Sequence, residues 1–365
     1  MKSIAGTLAA PFPYFGGKAN ACDLVWSAFG EVDNYVEPFS GSAAMLLGAP
    51  DGRRVETIND FDGFVANFWR AISHDSEAVA HHADWPTNEN DLFARHSWLV
   101  RQRESLTEKL HSDPDFYDAK IAGWWCWGAC NWIGSGWCQG TGPWVHDGEK
   151  IVDSRQLPHL SAGQGINRQL PHLSAGQGIN RKLPHLSAGR GINRKLPHLG
   201  NSGLGINRKL PHLGYSGRGQ YIREWFSLLQ TRLRDVRVTC GDWQRVLKDS
   251  VTTRHGLTGV FLDPPYAKGS MDYGAGGMGQ GIAESVRDWC IKNGDEEKLR
   301  IVLCGHAGEH DEVLAHGWTQ RQWTARKGYA TTDEAVENSA SETVWCSPHC
   351  VPESIEQPDL FGEFA

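Results

Sequence analysis

Three things are missing from this sequence, and each absence excludes a class of protein. No apolar run approaches the roughly 18 residues needed to cross a bilayer, so no membrane span is expected. The start, "MKSIAGTLAAPFPYFGGK", has one lysine ahead of a short apolar stretch that runs straight into a motif, and it reads as mature protein rather than a leader. The nine cysteines are odd in number and unevenly spaced, which fits reduced thiols in a cytoplasm rather than a disulfide framework. No Cys-x2-Cys pair occurs. Cys126 with Cys130, and Cys346 with Cys350 and His349, favour packed thiols over a zinc site, and no metal is expected.

The third absence is of acid. Between Arg155 and Arg223 there are 11 Lys/Arg and no Asp or Glu. The chain totals 36 basic and 43 acidic residues, a net charge of −7, so everything outside that block carries 25 basic against 43 acidic, or −18. Surface segments usually mix both signs. A +11 block inside an acidic protein is the electrostatic footprint of a polyanion-binding arm, with a solvated basic loop as the plainer alternative.

That block is also repetitive. The unit (Q/K)LPHLSAG(Q/R)GINR occupies 156–168, 169–181 and 182–194, a longer copy fills 195–208, and a truncated fifth begins at Lys209. It is too short for a helical solenoid repeat. Its prolines and Gly-rich pieces favour short extended segments joined by turns. Each copy presents Arg/Lys with Asn and His at fixed spacing, suited to phosphates and groove edges. Arg168, Arg181, Lys182, Arg194, Lys195, Arg208 and Lys209 are the expected nucleic-acid contacts. Five repeat histidines could ligate a metal, but duplication alone explains their regularity.

The rest is ordinary globular chain: 365 residues, 40% hydrophobic and 22% charged, with a prior of about two domains. "NYVEPFSGSAAMLLGA" reads as a short strand at Tyr35-Val36, a turn at Pro38–Gly41 and a helix of small residues. Such a glycine turn lets backbone N–H groups approach a ligand. "RRVETINDFDGFVANFWRAI" reads as a second strand ending at Asn59-Asp60, then a helix burying Phe64, Phe68 and Ile72. An acid there, shortly after a glycine turn, is where Rossmann-type folds hold ribose hydroxyls.

Beyond the repeats, "QYIREWFSLLQTRLRDV" reads as a helix and "VRVTCGDWQRVL" as a strand leading to Asp242. Val260, Phe261 and Leu262 form a buried-type strand stopped by Asp263-Pro264-Pro265-Tyr266, since consecutive prolines cannot continue a central ladder. The tail adds a helix ("ESVRDWCIKN"), a strand ("LRIVLCGH"), a further helix and strand, and a last strand ("ETVWCSP"). Alternation on both sides of the repeats predicts one α/β domain with a large insertion.

In this order, "PFPYFGGKANACDLV", "YVEPFSGSAAM", "INDFDGFVANFW" and "FLDPPY" resemble the Dam-like DNA adenine-N6 methyltransferases, over roughly residues 11–75 and 221–348. "WWCWGACNWIGSGWCQGTGPW" loosely resembles that family's aromatic stretch before its target-recognition part. The resemblance implies a Rossmann-like S-adenosylmethionine-dependent methyltransferase sheet with an inserted target-recognition region containing the tandem repeats. It implies that Tyr14 and Lys18 help enclose the cofactor, that Glu37, Phe39 and Gly41 form its glycine-turn pocket, and that Asp60 holds its ribose. Asp242 is a further expected cofactor contact, and Asp263, Pro264, Pro265 and Tyr266 are the expected catalytic loop. One departure stands out: the family commonly has glycine where this chain has Ala43. The repeats are not part of the family pattern.

The residue types suit that chemistry. An exocyclic adenine amine is a poor nucleophile because its lone pair is delocalised into the ring. Asp263 and the Pro264 carbonyl, fixed by proline, can accept its N–H bonds and release the lone pair, and Tyr266 can stack on the base. The sulfonium methyl is already a strong electrophile, so alignment is the main task, and a duplex adenine must flip out to be reached. Cytosine C5 chemistry requires a thiolate on a Pro-Cys turn, and the chain has no Pro-Cys dipeptide.

The expectation is therefore an enzyme that methylates adenine N6 in DNA, in a bacterial or phage-encoded cytoplasmic setting. Its partner is DNA, with no membrane and no obligatory protein partner evident. Residues 1–85 and 221–350 form the catalytic domain, 86–220 the target-recognition insertion and 351–365 a tail. Cytosine-N4 or RNA-adenine methylation on the same fold, and a non-catalytic nucleic-acid-binding relic, are the alternatives. The tryptophans at 124, 125, 127, 132, 137 and 144 can stack on a base or pack under the insertion.

Overall fold

Strands buried on both faces form the middle of this molecule. The computed structural model describes residues 8–14, 18–132, 136–138, 144–146, 151–153, 218–265, 279–322 and 342–352. Strand β1 (Asn34–Glu37) and β6 (Thr258–Leu262) are buried at every position, as the run Val260-Phe261-Leu262 led us to expect. β1 pairs in parallel with β2 (Val55–Asp60) on one side and with β6 on the other. β5 (Val236–Cys240) extends the β2 side, and β7 (Leu299–His306) extends the β6 side, both in parallel. Last come β9 (Glu342–Cys346), antiparallel to β7, and β8 (Thr319–Gln322), antiparallel to β9.

The seven-stranded order is thus β5-β2-β1-β6-β7-β9-β8. From β1 the chain winds first toward β2 and β5, then returns to β6 and winds the other way. The switch point lies between β1 and β6, and ligands of open α/β sheets bind outside the strand carboxyl ends at such a point. Side chains alternate between the faces. Tyr35, Ile58, Phe261, Val302 and Cys304 enter one apolar cluster, while Val36, Val260, Leu262, Ile301, Leu303 and Trp345 enter the other. Helices α1 (Cys22–Phe29), α3 (Gly63–His74) and α7 (Arg218–Leu233) cover the first face, and α8 (Gly279–Asn293) covers the second. The sheet is therefore wound on both faces, a mixed α/β architecture compatible with a Rossmann-like methyltransferase.

Helix α3 starts where the sequence said it should. Asp62 caps it, accepting a hydrogen bond from Phe64 N at 2.9 Å, and Phe64, Phe68 and Ile72 are all buried. Helices α4 (Ser76–Ala83), α5 (Glu89–Ser112) and α6 (Ala119–Asn131) follow, the last two capped by Asn88 and Asp118. Leu99, Leu106, Leu110, Ile121 and Trp125 join the same core as Phe64 and Phe68. Arg103 ties the next segment to this frame: it pairs with Asp62 at 3.4 Å and donates to the Cys138 carbonyl at 2.5 Å.

Two features were not expected. A separate antiparallel pair, β3 (Trp144–His146) with β4 (Ile151–Asp153), follows α6 and lies outside the seven-stranded sheet. In the tail, the segment Asp311–His316 is a 3-10 turn where a helix was expected. All nine cysteines are free and buried. Among the described residues no His, Cys, Asp or Glu cluster could hold a metal ion, and no helix is long and apolar enough to cross a membrane. Tyr266, the seven basic repeat residues and the repeats themselves lie outside the described residues.

Candidate active site

The glycine turn after β1 is fastened to the end of β2 by its own backbone. Ser40 N donates to the Asn59 carbonyl at 2.9 Å, and Gly41 N donates to Asp60 Oδ2 at 2.8 Å. The Asn59 side chain joins the loops after β1 and β5, donating to the Pro38 carbonyl at 3.0 Å and the Gly241 carbonyl at 2.9 Å while accepting from Thr239 Oγ1 of β5 at 2.9 Å. Buried Trp69 donates its Nε1–H to the Gly41 carbonyl at 2.9 Å. Gly41 has φ of +43°, and a Cβ there would sit 2.3 Å from Tyr14 Cε1. The tyrosine ring therefore lies directly on the glycine, which only a residue without a side chain allows.

Beyond Gly41 comes Ala43, at the N-cap of the one-turn helix α2 (Ala44–Leu47), with φ of +49° and ψ of 34°. A left-handed alanine is strained, and glycine is the residue at ease there. The departure noted in the sequence thus falls on a position whose backbone suits the family's usual residue.

Asp60 is buried at the end of β2 and accepts from both Gly41 N and Asp62 N, each at 2.8 Å. Burial and the neighbouring Asp62 charge push its carboxyl up to about 7, against the pull of the N–H donors. Glu37, at the end of β1, is also buried and accepts from Tyr35 Oη at 3.0 Å. Burial raises it to about 8, while the Tyr35 hydroxyl works the other way.

Across the switch point, Asp263 follows the last residue of β6. Lys18, whose side chain is 3% exposed, places Nζ 3.4 Å from Asp263 Oδ1 and 3.6 Å from Glu342 Oε1. Burial alone would lower the lysine's pKa, but Asp263, Cys304 and Glu342 outweigh it and hold it well above the ordinary value. On the opposite flank, Asp242 caps a short turn by accepting from Gln244 N at 2.8 Å. The ring of Trp243 beside it lies 6.0 Å from that of Phe39.

Tyr14, Lys18, Glu37, Phe39, Gly41, Asp60, Asp242, Asp263, Pro264 and Pro265 thus come from strand ends or loops on one side of the sheet. Three residues that the sequence reading missed share it. Glu342 begins β9; because that strand alone runs antiparallel, its first residue lies at the carboxyl edge of the others, opposite His306. Trp243 stacks loosely with Phe39. Phe61, directly after Asp60, is 60% exposed, a large ring left in water at the carboxyl edge of the sheet. That exposure is the sort of signal a hydrophobic residue between two acids, Asp60-Phe61-Asp62, could have suggested.

A doubly wound sheet with a glycine turn, a buried acid and an Asp-Pro-Pro bend at its switch point defines a ligand-binding α/β enzyme fold. Residues 14–118 match the family model of the D12 class N6 adenine-specific DNA methyltransferases. The family resemblance carried by the motifs is thereby shown, and with it the activity: this is a transferase that methylates adenine N6 in DNA. No curated protein matches the chain. The matched stretch holds Tyr14, Lys18, Glu37, Phe39, Gly41 and Asp60; Asp263 lies outside it and is joined to it by the fold.

Proposed function

We propose that the methyl donor is S-adenosylmethionine, held between Tyr14, Glu37, Phe39, Gly41, Asp60 and Asp242, and that Asp263 and the Pro264 carbonyl receive the amine of an adenine flipped out of the duplex. The observation that carries this reading is the Lys18–Asp263 pair at 3.4 Å, which joins the matched amino-terminal motif to the Asp-Pro-Pro bend across the switch point. The pocket suits a nucleoside-bearing cofactor. Gly41 leaves a cradle beside the Tyr14 ring that any Cβ would fill, Asp60 offers a buried acceptor suited to hydroxyl donors, and Phe61 offers an exposed ring face. When bound, that cofactor supplies an electrophilic methyl group on a cationic sulfur.

The chain's own residues do the rest. Asp263 and the Pro264 carbonyl accept the two amine N–H bonds and draw the nitrogen toward tetrahedral geometry, freeing its lone pair. Proline fixes the backbone there, so these acceptors need little reorganisation. Tyr266 stacks on the extruded base. Flipping costs a few kcal/mol, which contacts to the base and to the strand must offset.

The region 86–220 reads the target in this scheme, with the basic repeats as its phosphate-binding arm and the catalytic domain supplied by 1–85 and 221–350. Helices α5 and α6, at its beginning, share the core of the catalytic sheet, so this recognition element is rooted in the enzyme rather than tethered to it. A bacterial or phage-borne enzyme acting on cytoplasmic DNA is the setting proposed. Digesting treated DNA to nucleosides and measuring them by mass spectrometry tests the reaction. N6-methyladenine should appear only when S-adenosylmethionine is supplied; N4-methylcytosine in its place would overturn the substrate assignment.

A further inference from the structure

Lys18 is shared. Its ammonium meets Asp263 at 3.4 Å and Glu342 at 3.6 Å, and its side chain is 3% exposed against 20% and 18% for the two acids. Water therefore does little to screen the cation, and its charge is divided between two carboxylates that reach it from different strands. The Glu342 position depends on topology: the β7–β9 ladder ends with Glu342 opposite His306, which puts the start of β9 at the same sheet edge as the end of β6, one strand away across β7. Nothing in the amine chemistry requires a second carboxylate at this point.

We propose that Glu342 is a positioning residue for methyl transfer: through Lys18 it sets the protonation and placement of Asp263. This rests on the reading of Asp263 as acceptor of the adenine amine. Among the described residues, the titratable groups that bear on Asp263, Lys18 and Glu342 include Glu37 on β1, Cys304 and His306 on β7, and each other. Lys18, buried and held in its cationic form by these acids, favours the ionised form of Asp263 when the amine arrives. Glu342 opposes it: its charge offsets part of the lysine's field and holds the ammonium away from exclusive pairing with Asp263. The geometry predicts opposite effects from the two partners. Removing the lysine charge makes Asp263 harder to ionise, and removing the Glu342 charge makes it easier.

The test is the acid limb of the single-turnover rate against pH, at saturating S-adenosylmethionine, for full-length protein. Lys18→Met should move that limb up by about one unit or more, and adding Glu342→Gln in the same chain should move it back down. Glu342→Gln alone should move it below the wild-type position, Glu342→Asp should restore it, and S-adenosylmethionine affinity of both Glu342 variants should stay within about twofold of wild type, under 0.5 kcal/mol. If Lys18→Met does not fold, the single Glu342→Gln shift decides. An acid limb unmoved by Glu342→Gln, in either background that folds, overturns the inference. Asp263→Ala separates the two levels. Normal turnover in that variant defeats the reading beneath, whereas an inactive Asp263→Ala with an unmoved Glu342→Gln limb defeats only the role of Glu342.

Discussion

Asp60 and Glu37 are carboxyl groups held where a carboxylate is poorly solvated, and their effect on stability has a definite sign. Their folded pKa values are raised, to about 7 and about 8, from ordinary values of 3.8 and 4.5. The folded protein therefore binds more protons than the unfolded chain between about pH 4 and 8, and stability falls as pH rises through that window. Buried His310 opposes this below about 6.5, because burial lowers it to about 4. From pH 6.5 to 8.5 the protein without cofactor should thus lose on the order of 2–3 kcal/mol. Thermal melts should show the decline, and Asp60→Asn and Glu37→Gln should each flatten part of it; parallel slopes in both variants and wild type would remove these groups as the cause. Asp60→Ala should weaken S-adenosylmethionine binding in calorimetry while DNA affinity changes little. Asp263→Ala should fold, bind cofactor and transfer no methyl group, since losing a preorganised acceptor raises the barrier by several kcal/mol.

Between residues and the whole molecule stand the elements, and the turn from Pro38 to Ala43 shows what was legible. Its place after a strand, its glycine and the acid on the next strand are local patterns, and they led directly to Gly41 and Asp60. The Asp-Pro-Pro bend and the buried face of α3 were equally local, resting on proline and on helical spacing. Glu342 carried no such mark. It is one acid at the head of an apolar strand, and only the antiparallel placement of β9 beside β7 takes it to Lys18. The rooting of α5 and α6 in the core was hidden for the same reason, since composition does not say which neighbour an amphipathic helix will find. The left-handed Ala43 yields a test at this scale. Ala43→Gly relieves a strain of about 1–2 kcal/mol and should leave stability within about 1 kcal/mol of wild type, despite the lost methyl group. Ala71→Gly, equally buried but inside α3, should cost about 1–2 kcal/mol in the same denaturant titration. Equal losses at both sites would mean that Ala43 carries no strain.

At the scale of the whole molecule the governing fact is charge asymmetry: +11 between Arg155 and Arg223, −18 elsewhere. An acidic body repels DNA at long range, which would leave productive encounter to the basic segment, whose repeats hold eight of its eleven Lys/Arg. We predict that the repeats act as a DNA-contacting appendage and that their contribution is graded. Deleting 169–181 removes only Arg181 among the basic residues and leaves an identical copy before the cut and a near-identical one after it. That variant should fold, methylate DNA and lose no more than about one unit from the slope of log affinity against log salt. Deleting 156–208 removes Arg168, Arg181, Lys182, Arg190, Arg194, Lys195 and Arg208 and should flatten the slope by several units. S-adenosylmethionine binding should survive both deletions, because none of its proposed residues lies in the block. DNA affinity measured at a series of salt concentrations separates the possibilities. If the long deletion leaves both the affinity and its salt dependence unchanged, the charge asymmetry does not serve DNA binding, and the repeats act as a spacer or as a surface for another protein.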